Sequence, residues 1–125
     1  MRKKLPISKK HLKDTTDDLW RRCVVKKWGQ KCVCGKQADH CHHFFPRSNS
    51  AVLRLEIDNG VPLCNGCHMG IHFRGDPTIN QRIINFRGIG WYKDLETKSK
   101  EEFRSGQTVK WYKETIEVLK EYLEA

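Results

Sequence analysis

The apolar residues change their period several times along the chain, and each change marks a short element. Residues 1–13 have no apolar periodicity and read as a flexible basic arm. From Thr16 to Trp28 the period is helical, with Trp20, Val24 and Trp28 on one side and Cys23 beside them as a small core residue. Thr15 or Thr16 can cap this helix, Asp17 and Asp18 suit the positive end of its dipole, and Gly29 stops it. Lys31 to Lys36, KCVCGK, reads as a tight knuckle, and Gln37 to Phe45 as a strand that Pro46 ends. A polar connection over 47–59 carries the apolar alternation Val52, Leu53, Leu55 and Ile57. Val61 to Leu63 can pair as a second strand, and a helix should start near Asn65, end about Phe73 and be followed by Gly75.

The remainder is helical in pattern. Asp76-Pro77 is an N-cap followed by proline at the first helical position, so a helix is expected over Pro77 to Arg87, ending at Gly88. A short helix near Trp91 to Lys98 follows. The last runs from Thr108 to Leu123, where Val109, Tyr112, Ile116, Leu119 and Leu123 form a stripe that is either core or a dimer seam. The pattern describes an α+β chain: the arm, then one domain over 14–125, whose strand–loop–strand–helix part spans about 31–75 and whose helical part spans about 76–125.

Charge adds a partner class. Residues 1–36 hold twelve Lys/Arg against Asp14, Asp17 and Asp18, which accounts for the whole net charge of +9. Residues 37–125 hold twelve charges of each sign. A basic segment of this kind, with Lys3, Lys4, Lys9 and Lys10 at its start, suits a polyphosphate partner, because each phosphate contact releases condensed counterions. A solvated basic tail is the plainer alternative. No stretch is long and apolar enough for a membrane span, and the charged N-terminus has no apolar signal core. The expectation is therefore a cytoplasmic chain, and six cysteines in a reducing compartment imply metal rather than disulfides. The same argument disfavours covalent haem at CNGCH, although its spacing matches that attachment pattern. With 38% hydrophobic residues in a chain of 125, a structural metal would help the modest core.

The chemistry gathers between residues 39 and 72. Two adjacent histidines on a strand, His42 and His43, can place one imidazole on a metal and leave the other to act as a base, because neighbouring side chains point to opposite faces. His68 and His72 are four apart and share a helix face, so they can grip one cation together. Cys64 and Cys67 make one knuckle and Cys34-Gly35 resembles the closing half of another.

Together, HHFFP at 42–46, Asn59 five residues before Cys64, and C-x-x-C-H followed by His72 resemble the HNH (ββα-metal) endonucleases. The resemblance implies His43 as general base and His42, His68 and His72 as ligands of a catalytic divalent cation, Mg2+ or Mn2+ with Zn2+ or Ni2+ as alternatives. It implies that Asn59 ties the long loop to the active-site backbone, and that a structural Zn2+ is held by two cysteine knuckles. In this chain the first knuckle is C-x-C, Cys32 and Cys34, one residue short of C-x-x-C. Cys32 is therefore the first choice for the fourth ligand, with Cys41 and then His40 behind it. Arg47, Arg54 and Arg74 flank the motif and could clamp phosphates.

A weaker likeness, carried by RLEIDNGVPLCNGC and RIINFRGIGWYKDLE, is to the NinG/Rap phage recombination nucleases, which points towards branched DNA and a phage origin. The chain departs from that group in having His68 where the group tends to have Asn, which is closer to the general HNH and colicin-DNase pattern. The expected activity is metal-dependent hydrolysis of double-stranded or branched DNA, one strand per site, so that cutting both strands would require two protomers. A non-catalytic zinc-binding DNA module and an RNA-directed HNH-like nuclease are the competing readings.

Overall fold

The computed structural model describes residues 8–46, 53–101 and 108–125. They form five α-helices, one 3-10 turn and a two-stranded antiparallel sheet. The order is α1 (Lys9–Trp28), β1 (His40–His43), the 3-10 turn Ile57–Asn59, β2 (Gly60–Leu63), α2 (Asn65–Arg74), α3 (Pro77–Arg87), α4 (Ile89–Ser99) and α5 (Val109–Glu124). None of these helices is long and apolar enough to cross a membrane.

The first helix corrects the expectation of a flexible arm through residue 13. Ser8, not Thr15 or Thr16, is the N-cap, and its side chain accepts from the His11 N–H at 3.1 Å. Lys9 and Lys10 are consequently in the first helical turn. Leu12, Thr16, Leu19 and Cys23 recur at spacings of four and three, and all are buried, so the early turns belong to the core. Asp17 and Asp18 lie mid-helix instead of at its positive end. Lys3 and Lys4 lie outside the described residues.

Helix α1 packs along α5, the last element, which supplies Tyr112, Ile116 and Leu119 to the shared core. The α5 stripe is thus core within the chain, and the Cys23 thiol is buried in it, donating to the Leu119 carbonyl at 3.4 Å. Lys26 donates to the Tyr122 and Ala125 carbonyls at 2.6 and 2.7 Å, a cation at the negative end of α5. On its other side α1 meets the sheet so closely that a Cβ on Gly60 would lie 2.2 Å from Val24 Cγ2. Only glycine fits at that crossing.

The first strand is shorter than the expected Gln37–Phe45, because only His40–His43 pairs with β2, with His40 opposite Leu63 and His43 opposite Gly60, while β2 begins one residue earlier than expected. A second core of Val61, Leu63, Ile79 and Ile83 joins β2 to α3 beneath Cys32 and Cys64. The Asp76 cap, the Gly75 stop in the left-handed conformation and the extent of α3 agree with the pattern reading, and the last helix begins just after Thr108, which is its N-cap. Helix α4 braces the sheet end: Trp91 donates to the Asp58 carbonyl at 2.9 Å and packs edge-on to Phe44. Arg87, stacked on Trp28 at 3.7 Å, donates to the same carbonyl. The RIINFRGIGWYKDLE segment therefore acts here as scaffold.

Candidate metal centres and the histidine cleft

The four knuckle cysteines converge. The Sγ atoms of Cys32, Cys34, Cys64 and Cys67 all lie within 4.8 Å of one another, with Cys34 and Cys64 at 3.7 Å. Tetrahedral zinc with Zn–S bonds of about 2.3 Å sets its sulfurs roughly 3.8 Å apart, so the set fits that ion. C-x-C suffices because Gly35, with φ 93°, lets the chain turn back sharply: the Gly35 N–H donates to the Cys32 carbonyl and the Cys32 N–H to the Lys36 carbonyl. The second pair sits where β2 enters α2, with Cys64 as N-cap accepting from the Cys67 N–H. Burial raises the Cys32 and Cys67 thiols, and the neighbouring sulfurs raise Cys67 further. Cys34 is lowered to about 7, first by a backbone N–H bond at Lys36. Thiols crowded in this way would ionise together once a divalent cation neutralised them. Cys41 is not in the group, since its thiol turns to the Arg21 carbonyl on α1. His40 is also outside it, stacked on His68 at 4.6 Å and hydrogen-bonded to Asn65. All six cysteines are free thiols.

The second group is His42, His68 and His72, one ligand nitrogen from each lying within 4.8 Å of the others. Helix α2 lies against β1, so His42 meets His68 and His72 with ring centroids 5.6 and 5.2 Å apart. Burial, and then the neighbouring imidazoles His72, His68 and His43, push His42 down to about 4, while burial lowers His68 as well. Both are held neutral at pH 7, the form that binds a metal. Three nitrogen donors on one side leave positions for water and substrate oxygen, and they could hold one divalent ion.

Strand alternation separates the histidine pair. His42 turns towards α2, whereas His43 lies against α1, its ring stacked on Trp20. Yet both rings line one cleft of about 590 Å³, together with His68, His72, Trp20 and Arg21. His43 Nε2 is 2.9 Å from the Arg54 carbonyl. A carbonyl can only accept, so Nε2 carries the proton and the lone pair of the neutral ring is on Nδ1. The ring is oriented on its flat side by Trp20, whose indole N–H donates to the Glu56 carbonyl at 2.8 Å.

Asn59 is fully buried and works entirely through the backbone. Its Oδ1 accepts from the Phe45 N–H at 2.8 Å, and its Nδ2 donates to the Phe45 and Leu53 carbonyls at 3.1 Å. The Asn59 carbonyl also accepts from the Phe44 N–H. One side chain thus ties the end of the His42-His43 strand to the loop that carries Arg54. Asn59 is a positioning residue, with no direct place in the cleft lining.

Two of the three expected phosphate clamps are found elsewhere. Arg54 is buried, its Nη2 3.0 Å from both carboxylate oxygens of Asp17, so it is an internal anchor and not a phosphate ligand. The low-lying loop forces this, because Leu53 and Leu55 on either side are buried too. Arg74 folds back along α2 to the Gly66 carbonyl, in a hollow beside Cys34, Cys64 and Cys67, away from the histidines. Arg47 lies outside the described residues. The sequence pattern assigns Asp17 and Trp20 only to the helix itself and gives Arg21 no role, although their spacing of three and four puts all three on one helix face towards the cleft. Comparison of the chain with protein-family models, with curated proteins and with solved structures finds no match.

Proposed function

We propose that this chain is a metal-dependent DNA endonuclease of the HNH type that hydrolyses phosphodiester bonds. The observation carrying the reading is that an oriented imidazole with its lone pair on Nδ1, His43, shares one cleft with the three-histidine cluster. A base and a metal-ligand set facing one space are the parts that phosphodiester hydrolysis requires. His43 Nδ1 takes a proton from water directed at the phosphorus. As the ring becomes cationic, the Arg54 carbonyl holds its Nε2 proton and the Trp20 face lies beneath the charge. A divalent cation on His42, His68 and His72 would neutralise charge on the phosphate and the leaving oxygen, worth on the order of several kcal/mol. Asn59 keeps the base strand and the Arg54 loop in register, and the four cysteines hold zinc as a structural ion. One base and one cation cut one strand, so cutting both strands calls for a second protomer or a second encounter.

The test is incubation of the chain with supercoiled plasmid, a branched junction and RNA, each with Mg2+, Mn2+, Ni2+ or Zn2+. Cation-dependent nicking of DNA is the expected result. Binding without cleavage under every cation would instead identify a zinc-stabilised DNA-binding module, and preferential cutting of RNA would redirect the substrate.

A further inference from the structure

We infer that Arg21 binds the phosphate next to the scissile one, and that the substrate strand runs from the histidine cleft past Arg21 into the adjoining depression. The inference rests on the nuclease reading above and specifies the path of its substrate. A second depression, about 490 Å³, adjoins the histidine cleft and is walled by Val25, Gln30, Asp39 and His40. The two share Arg21, Cys41 and His68, so they are two halves of one groove with Arg21 at the divide.

Charge then singles out Arg21. Asp17, on the first half, is engaged by Arg54, and Asp39, on the second, accepts from the Asn65 N–H at the start of α2. Arg21 is exposed, and its guanidinium makes no hydrogen bond or ion pair among the described residues. Its backbone is fixed in the fourth turn of α1, with its carbonyl facing the Cys41 thiol of β1. Phosphates follow one another at roughly 3.4 Å of axial rise per strand, so a strand with one phosphate at the histidines must lay its neighbours over the adjoining wall. A fork of five N–H donors fits a phosphate held there.

The test pairs Arg21→Ala with neutral methylphosphonates placed one at a time around the mapped cleavage position of a DNA duplex. In the wild-type protein, neutralising one phosphate beside the cut should slow cleavage about tenfold to a hundredfold, as expected for a lost charge-assisted contact. Arg21→Ala should slow the unmodified substrate by a similar factor, and the same methylphosphonate should then add nothing. Arg21→Lys should recover part of the rate, and both variants should melt like the wild type. Equal methylphosphonate penalties with and without Arg21 would overturn this inference while leaving the nuclease reading intact. Failure of the wild-type chain to cut any substrate would overturn the nuclease reading, and this one with it.

Discussion

The imidazole of His43 lies flat on the indole of Trp20, with ring centroids 4.1 Å apart and planes within 6°. Trp20 is also one of the largest buried side chains, so one residue serves the core and the site together. Trp20→Ala should destabilise the chain by about 3–5 kcal/mol and slow any cleavage by tenfold or more. Trp20→Phe keeps a flat ring but loses the bond to the Glu56 carbonyl, and should fall between. Urea denaturation combined with single-turnover cleavage checks both. Equal rates for the folded Ala variant and the wild type would show that the stack does not orient the base.

The Asp17–Arg54 pair anchors the carbonyl that orients His43. Both side chains are largely buried, so Asp17→Ala leaves a guanidinium without its counter-charge and should cost about 3–5 kcal/mol. The double variant Asp17→Ala with Arg54→Met should regain much of that loss, since no buried charge remains. Denaturant midpoints of the four proteins in the cycle measure it. A double variant no better than Asp17→Ala alone would mean that the loop is held by other contacts.

Cys64→Ser or Cys67→Ser should remove bound zinc and unfold the knuckle, because metal binding in so small a core is itself folding free energy. Cys41→Ser should keep one zinc per chain and near-native melting, its thiol being turned towards Arg21. Metal analysis after gel filtration, with circular dichroism, distinguishes these outcomes. Zinc retained in Cys64→Ser but lost in Cys41→Ser would contradict the ligand set.

Burial lowers His42 to about 4, against an ordinary value near 6.5 in the unfolded chain. Between these values the unfolded chain takes up a proton that the folded one refuses. The stability associated with His42 is therefore complete above about pH 6.5 and declines as pH falls towards 4. His42→Gln should show a smaller drop in urea midpoint between about pH 7.5 and 5 than the wild type. Zinc loss from the cysteines affects both proteins alike, so the difference isolates the imidazole. Identical drops would place the His42 ring in a more solvated setting.

Local signals in the sequence marked most of the elements, and long-range ones decided the rest. Asp76-Pro77, Thr108 and Gly75 punctuate helices through their own backbone chemistry, and those boundaries were legible. The histidines and cysteines were legible as candidate ligand sets, because one strand and one helix bring the histidines together, and a C-x-C turn and a C-x-x-C helix start bring the cysteines together. The start of α1 was not, since Leu12 becomes a core residue only when α5, about a hundred residues later, joins the same cluster. The burial of Arg54 is hidden from local pattern for a related reason. An arginine between Leu53 and Leu55 looks like a surface charge until Asp17 arrives from α1 to neutralise it. The setting of His43, the proposed base, likewise involves Trp20, an aromatic that periodicity assigns only to the core.

The measurement that bears most directly on the account is the cleavage rate of His43→Ala, with calorimetric cation titration of the same protein beside His68→Ala. His43→Ala should stay folded, keep its zinc and bind the cation as the wild type does, while cleavage falls by about two to four orders of magnitude, the usual contribution of a positioned base. His68→Ala should instead lose cation affinity and recover part of its activity in excess metal. If His43→Ala cuts at the wild-type rate, or loses the cation as His68→Ala does, the division of the two adjacent histidines into ligand and base is wrong.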